Sequence, residues 1–286
     1  MSTQNFSNKV EQAIQLIENA DYVLIGAGAG FSAAGGLDYS DPELFEKWFP
    51  QLVESGINTL WEGLSSHWYM KESNKRRFWG YWANHINKIR YESPVLTPYK
   101  QLYELLKNKN YFVITTNVDY QFYKAGFDPN KIYAPQGDYA FFQCERACID
   151  VVYPNKPYID QMVSGTDFET LEVREEDIPI CPNCGAHMSK NIRIDHTFVE
   201  APHLENQDAY YEFINKSVDG KLVLLELGVG FNTPIIIRWP FEKVTSTHPK
   251  ATLIRMNMNK PEVSDELKEK SLTFDENITD IFNRII

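Results

Sequence analysis

The sequence predicts an α/β protein built on a parallel β-sheet. Four short apolar runs support this prediction, and each of them stops at small or polar residues. Helical patterns separate the runs, as expected when helices connect the strands of a parallel sheet. A ligand of such a sheet binds beyond the carboxyl ends of the strands, so the residues after each run are the first candidates for a functional site. The four runs are 22–25, Tyr111–Thr115, Leu222–Leu227 and Ala251–Met256.

Charge and composition exclude several classes of function. Lysine and arginine number 28 against 39 aspartate and glutamate residues, so the formal net charge is −11. A chain this acidic is a poor partner for nucleic acid or an anionic membrane, and we expect neither. The first residues lack the segments of a signal peptide, and no apolar run reaches the roughly 18 residues of a membrane span. The 286 residues, roughly two domains at about 150 residues each, predict a soluble, globular, cytoplasmic protein.

Helix and strand patterns alternate from the start of the chain. Apolar residues at Val10, Ala13 and Ile17 have helical spacing and predict a helix over 8–20. The strand at 22–25 follows, and then a glycine-rich string. Two intervals interrupt the alternation. Residues 41–98 are rich in tryptophan and predict a helical insertion whose aromatic side chains pack in a core or lid, and residues 144–200 contain all four cysteines.

The cysteines form two close pairs, Cys144-x3-Cys148 and Cys181-x2-Cys184. Two such pairs can each hold one edge of a metal ion and together give the tetrahedral four-thiolate site that zinc prefers. Two disulfides or four separate thiols are the alternatives. Because four protein ligands would close the site and no further cysteine remains, we expect a structural zinc site.

The glycine-rich string GAGAGFSAAGG lies directly after the first strand. Glycines at this position let the backbone approach a pyrophosphate, and a following helix presents free N–H groups to it. The dinucleotide fingerprint G-x-G-x-x-G is matched only loosely, and a tight turn of small residues is the alternative. The lysine of a P-loop is missing, which argues against a nucleoside triphosphate site.

Several motifs, taken in order, resemble the sirtuin family. GAGFS at 28–32 and GLDY at 36–39 resemble the signature GAGxS…GIPDFR, and TTNVD at 115–119 resembles TQNID. PQG at 135–137 stands where sirtuins have LHG, the cysteine pairs stand where they have a zinc ribbon, and GVG at 228–230 stands where they have GTS. Each motif is degenerate, and an Asn-x-Asp or Gln-Gly alone is often only a turn. Their order and spacing nevertheless agree over nearly the whole chain.

The departures from the sirtuin pattern indicate a different reaction. Gln136 replaces the histidine general base, and glutamine cannot take a proton from a ribose hydroxyl, as deacylation requires. The FGE strand of the deacylase cleft is absent, and DHTFVE at 195–200 stands in that region. This combination resembles the macrodomain-linked, or class M, sirtuins. Those proteins are mono-ADP-ribosyltransferases whose substrate is a lipoylated glycine cleavage H-like carrier protein.

The resemblance implies a set of site residues and partners. NAD would be the co-substrate, with Asp119 at the nicotinamide carboxamide, Asn117 at the ribose or a water beside it, and Gln136 at the ribose hydroxyls. A lipoyl-bearing carrier would be the acceptor, and a macrodomain protein would reverse the modification. The expected NAD contacts are Ala27, Gly28, Ala29, Gly30, Ser32, Leu37, Asp38, Tyr39, Thr116, Asn117, Asp119, Gln136, Gly228, Gly230, Phe231 and Asn257.

The predicted architecture is a Rossmann-like NAD-binding domain at 1–43, 98–140 and 201–286. A helical insertion at 44–97 and a zinc-ribbon insertion at 141–200 form a smaller domain. NAD-dependent deacylation, and NAD hydrolysis or sensing without a protein acceptor, are the alternative functions. The main basic run, Lys75-Arg76-Arg77, is either a solvated helix face or a docking patch for an acidic carrier.

Overall fold

A six-stranded parallel sheet forms the centre of the computed structural model, which describes residues 3–285. A second, three-stranded sheet is antiparallel. The strands are β1 Tyr22–Ala27, β2 Tyr111–Thr115, β3 Ile132–Tyr133, β4 Gly137–Cys144, β5 Tyr153–Pro154, β6 Met188–Ile192, β7 Leu222–Leu227, β8 Ala251–Met256 and β9 Ser271–Phe274.

The large sheet has the order β3-β2-β1-β7-β8-β9. Its central strands are continuous apolar runs because both of their faces are buried: Val23 and Ile25 pack in one apolar cluster, and Leu24 packs in the other. The register pairs Ala27 with Thr115 on one side and with Leu227 on the other, so the carboxyl ends of three strands are level. The four predicted strands and the parallel sheet are confirmed.

Helices cover both faces of this sheet and form most of the segment between β1 and β2. A π-helical segment, Asn87–Glu92, continues one of them. The helices are α1 Thr3–Glu18, α2 Ala29–Ala34, α3 Pro42–Trp48, α4 Pro50–Val53, α5 Leu60–Ser66, α6 Lys75–Ile86, α7 Thr97–Leu106, α8 Gln121–Ala125, α9 Lys156–Ser164, α10 Gln207–Lys216, α11 Arg238–Thr247 and α12 Ile278–Ile285.

The first helix lies earlier than predicted, since α1 begins at Thr3 and ends at Glu18 instead of continuing to residue 20. At this end the side chain and the backbone N–H of Asn19 both donate to the carbonyl of Gln15, at 2.8 and 3.0 Å. The Ala20 N–H bonds the carbonyl of Ile17, three residues back, at 3.3 Å, so the α-helical pattern stops there. Ala20 is still buried, but as the first residue of the turn into β1.

The predicted helical insertion is present, and tryptophan dominates its core. Trp79 and Trp82 on α6 are fully buried, and the Trp82 indole N–H donates to the carbonyl of His67 at 2.6 Å. The small sheet, with the order β5-β4-β6, packs beside this insertion through contacts such as Trp79 with Phe142. The division at 44–97 and 141–200 stays a prediction. Within residues 3–285, no helix is both long and apolar enough to cross a membrane.

Candidate functional site

A cavity of about 860 Å³ lies beyond the carboxyl ends of β1, β2, β7 and β8. Its lining includes the residues that follow these strands, together with Trp61 and Trp68 of the helical insertion and Ile192 at the end of β6. A volume of this size falls within the roughly 300–1,000 Å³ of small-molecule and cofactor sites. The cavity therefore occupies the position expected for the ligand of a parallel α/β sheet.

Glycines form the floor of the cavity because two backbone segments touch there. A Cβ on Gly28 would lie 2.8 Å from the Gly228 carbonyl oxygen, and one on Gly30 would lie 2.8 Å from the Gly228 Cα. Gly228 itself has φ +60°, and a Cβ on it would lie 2.3 Å from the backbone nitrogen of Phe31. The alternative drawn from the sequence, a tight turn of small residues, thus accounts for part of the pattern. The same glycines line the cavity.

A buried hydrogen-bond cluster joins the β1 loop to the β2 loop. The Ser32 hydroxyl donates to Asp119 at 2.5 Å and lies 2.7 Å from the Tyr99 hydroxyl. The Asn117 Nδ2 is 3.0 Å from the Gly28 carbonyl and 2.9 Å from the Tyr99 hydroxyl. Burial raises the pKa of Asp119, while the hydrogen bond from Ser32 acts in the opposite direction. Asn117 and Asp119 therefore fix the shape of the glycine loop as well as lining the cavity.

Gln136 is positioned by the glycine that follows it. Gly137 has φ +101°, and a Cβ on it would lie 2.3 Å from the carbonyl oxygen of Asn191. The Gln136 carbonyl accepts from the Arg193 N–H at 2.9 Å, so the loop is held against the residue after β6. Gln136 lines the cavity, and among the described lining residues there is no histidine.

Among residues 3–285, a single histidine, His85, hydrogen-bonds a side chain that lines the cavity. Its Nε2 lies 3.2 Å from the hydroxyl of Tyr139, which in turn hydrogen-bonds Tyr39 in the cavity wall. Burial lowers the pKa of His85 to about 3, so the imidazole is neutral at physiological pH. Burial raises the pKa of Tyr39 and of Tyr139. This side of the cavity therefore offers neutral hydrogen-bonding groups and no ready proton acceptor.

The opposite end of the cavity is shaped by Asn257. Its Nδ2 donates to the Val229 carbonyl at 2.8 Å, and its Oδ1 accepts from the N–H groups of Asn259 and Lys260 at 3.0 Å each. Arg238 on α11 donates to the carbonyl of Lys260 at 3.1 Å. This loop is thus held by side chains from two different elements.

Most of the expected NAD contacts meet in this cavity. Ala27, Leu37 and Phe231 do not line it: Ala27 and Leu37 are buried in the core, and Phe231 is 53% exposed. Tyr139, Arg193 and Trp61 line the cavity and have no counterpart in the sequence prediction; only the tryptophan richness of 41–98 hinted at such a wall. The expected residues that do line it are Gly28, Ala29, Gly30, Ser32, Asp38, Tyr39, Thr116, Asn117, Asp119, Gln136, Gly228, Gly230 and Asn257.

The four cysteines also come together. Their sulfur atoms all lie within 4.8 Å of one another, with 3.6 Å between Cys144 and Cys184 and 3.6 Å between Cys148 and Cys181. A disulfide needs about 2.05 Å, so none of the four is oxidised. Tetrahedral zinc, with Zn–S bonds of about 2.3 Å, places sulfurs about 3.8 Å apart. The donor set and its spacing fit such an ion.

The overall fold of the chain is similar to that of solved sirtuin structures. Sir2Tm bound to a propionylated peptide is 17% identical, with 97% of both chains covered and a TM-score of 0.55. A Sir2 protein with a p53 peptide and NAD⁺ is 16% identical, with 96% of both chains covered and a TM-score of 0.56. At these identities the likeness defines the fold, which is that of the sirtuins. The predicted fold class is confirmed.

Sequence relatives identify the family more narrowly. The chain is 30% identical over 265 residues to "Protein ADP-ribosyltransferase" of Staphylococcus aureus (strain Mu50), covering 92% of this chain and 82% of that protein. It is 34% identical over 253 residues to "Probable bifunctional ADP-ribose hydrolase/ADP-ribosyltransferase" of Fusarium oxysporum f. sp. cubense, covering 86% of this chain but only 42% of that longer protein. No protein-family model matches. The chain belongs to the sirtuin-fold protein ADP-ribosyltransferases, and its closer resemblance to class M stays a prediction.

Proposed function

We propose that the protein is an NAD-dependent mono-ADP-ribosyltransferase, which releases nicotinamide from NAD and transfers ADP-ribose to a protein acceptor. The observation that carries this proposal is the cavity wall at Gln136, because the described lining residues include this glutamine and no histidine. Membership of the ADP-ribosyltransferase family supports the same reaction. Deacylation requires a base for the ribose hydroxyl, and the lining provides none at this position.

Different residues of the cavity bind the different parts of NAD. The glycine segments at 28–30 and 228–230 let backbone come close to the pyrophosphate, and Asn257 with its loop borders the adenosine end. Asn117 and Asp119 lie at the nicotinamide end, where we assign Asp119 to the carboxamide and Asn117 to the ribose. Nicotinamide leaves as a neutral molecule, so the step depends on orientation and on electrostatic stabilisation at the ribose carbon more than on an acid.

Gln136 determines what happens after nicotinamide has left. Its amide can hydrogen-bond the ribose hydroxyls but cannot remove their proton at any accessible pH. The deacylation branch is therefore blocked, while attack on the ribose carbon by an acceptor side chain is not. We propose that the acceptor is a lipoyl-bearing carrier protein, as the class M resemblance implies, and that a macrodomain protein removes the modification. The name of the Fusarium relative, which combines hydrolase and transferase, supports the second partner.

We infer that the basic run at 75–77 is a poor docking surface for this carrier. Lys75 pairs with Glu72 and Glu175 at 2.5 Å each, and Arg76 pairs with Glu172 at 2.9 Å. These pairs neutralise most of the run. An acidic carrier would therefore gain little long-range attraction from this helix.

We also propose that the four cysteines hold a structural zinc ion. Their spacing supports this, and so does their position, because Cys144 ends β4 and Cys181 and Cys184 belong to a separate turn. Metal analysis of the purified protein should give about one zinc per chain. A value well below one would remove the tetrathiolate site from the proposal.

The transferase is tested with labelled NAD and a lipoylated carrier. Label should appear on the carrier, and Asn117→Ala should reduce labelling by about 100-fold, because a misplaced ribose carbon loses alignment with the acceptor. Asn130→Ala, at an exposed asparagine whose side chain hydrogen-bonds Asp128, is the matched control and should label normally. Labelling that survives Asn117→Ala would refute the site assignment. Nicotinamide release without labelling of any carrier would favour NAD hydrolysis.

A further inference from the structure

A second cavity, of about 270 Å³, lies between the helical insertion and the small antiparallel sheet. Its walls are apolar on the insertion side, where Trp68, Met70 and Phe78 line it, and mixed on the β6 side, where Met188 and Lys190 line it. This volume lies just below the roughly 300–1,000 Å³ of sites that hold larger cofactors. The cavity therefore suits a ligand of only a few heavy atoms.

Lys190 is the unusual feature of this cavity. The residue is only 2% exposed, although lysine is almost never fully buried without a partner of opposite charge. Its Nζ donates to the carbonyl of Trp68 at 2.6 Å, and the rings of Trp82 and Phe78 lie 4.4 and 4.7 Å away. Among residues 3–285, no carboxylate lies within ion-pairing distance of it. An ammonium has three donors, and this single carbonyl leaves two of them free.

Two acidic residues line this cavity, and neither forms an ion pair with Lys190: Glu145 pairs with Arg146 at 3.8 Å. The Asp195 carboxylate, in the same cavity wall, accepts from the backbone N–H of Thr197 at 2.9 Å and from its hydroxyl at 2.7 Å. Burial lowers the pKa of Lys190 to about 7, and the charge of Asp195 acts in the opposite direction. The ammonium is thus desolvated and lacks an anionic partner, which is a costly arrangement unless a ligand provides one.

We propose that this cavity binds a small carboxylic acid with a short apolar chain, its carboxylate paired with Lys190 and its chain packed against Met70, Met188 and Phe78. A carboxylate has two oxygens that can accept from the two free donors of this ammonium. The thioether and aromatic walls accept an unbranched aliphatic chain without an unpaired polar group. We assign the occupant to a free acid and not to an acidic side chain of another protein.

This site is separate from the proposed NAD site but adjoins it. Trp68 and Ile192 line both cavities. The inference does not rest on the proposed transferase activity, because binding of the acid can be measured with no NAD and no acceptor protein present.

The test is calorimetric titration of the zinc-loaded full chain with hexanoate, with hexanamide as its uncharged counterpart. Hexanoate should bind about tenfold or more tightly than hexanamide. Lys190→Met, which keeps the length of the side chain and removes its charge, should abolish this preference. Lys47→Met, at an exposed lysine on α3, should leave it unchanged.

Three results would overturn the proposal. Equal binding of hexanoate and hexanamide by the wild-type protein would show that Lys190 only caps the Trp68 carbonyl, and this comparison requires no variant to fold. An unchanged preference in Lys190→Met, with zinc content and melting temperature preserved, would place the acid elsewhere. Tighter binding of a blocked Ala-Glu-Ala peptide than of hexanoate would assign the site to an acidic protein segment. None of these results bears on the labelling assay for the transferase.

Discussion

Glu226 and Arg255 form a buried ion pair whose disruption can be predicted in some detail. Both side chains are fully buried, and Arg255 contacts the two carboxylate oxygens of Glu226 at 2.7 and 3.0 Å. Arg238 lies 3.7 Å from the same carboxylate, and Glu242, at 29% exposure, is the other acid of the group. Glu226→Gln keeps the shape of the side chain but leaves two buried cations with one partly exposed carboxylate.

The expected loss in free energy of unfolding follows from the burial of these charges. Removing one partner of a buried pair destabilises a protein by about 3–5 kcal/mol, because the other charge stays desolvated. For a chain of this size that corresponds to a fall of about 6–10 °C in melting temperature, at about 2 °C per kcal/mol. Glu212→Gln breaks a surface pair with Lys216, in which both side chains are more than 60% exposed, and should cost about 0.5 kcal/mol or less.

Urea denaturation of the two variants and the wild type measures this difference. The slope of the free energy of unfolding against urea should stay constant while the midpoint for Glu226→Gln falls. Arg255 and Arg238 also donate to the carbonyl of Glu262, at 2.7 and 3.1 Å, beside the cavity-lining loop to which we assign the adenosine. We therefore expect Glu226→Gln to raise the KM for NAD, as measured by nicotinamide release. A free energy of unfolding for Glu226→Gln within about 1 kcal/mol of the wild-type value, together with an unchanged KM, would refute this role of the ion pair.

Three further predictions concern Gln136, the cysteines and His85. Gln136→His should add a titration near pH 6.5 to the rate of nicotinamide release, and a profile that keeps the wild-type shape would contradict the assigned position of this residue. Cys148→Ser should lower zinc content below one per chain and unfold the cysteine region first, measured by metal analysis and hydrogen exchange; Ser164→Ala, on an exposed helix end, is the control. The pKa of His85 is lowered to about 3, so the unfolded chain binds a proton below pH 6.5 that the folded chain rejects. The free energy of unfolding should therefore fall by up to about 1.4 kcal/mol per pH unit as pH decreases from about 6 towards 3. His85→Phe should make this slope shallower. An equal slope in the variant would mean that the imidazole is protonated in the folded state.

The sequence predicted the central strands well because burial on both faces produces continuous apolar runs. In the large sheet it missed β3, which has only two residues, and the edge strand β9, in which polar and apolar residues alternate instead of forming a continuous apolar run. Glycine spacing located the floor of the cavity, but Tyr139 and Arg193 could not be found in this way. They reach the site from a second sheet, whose position relative to the first depends on tertiary packing. Phe231 lies outside the described lining, with its ring over the Arg238 guanidinium at 4.3 Å, and its contact with NAD stays a prediction.

The close approach of Gly28 and Gly30 to Gly228 joins segments that lie about two hundred residues apart in the chain. The strand β1 cannot complete its pairing until β7 has been synthesised, although β2 is available much earlier. Contacts of such long sequence separation form slowly and late. A growing chain on the ribosome therefore has no complete dinucleotide cavity until its last quarter has emerged. Any stabilisation by a nucleotide acts only after β7 and the loop at Asn257 have emerged.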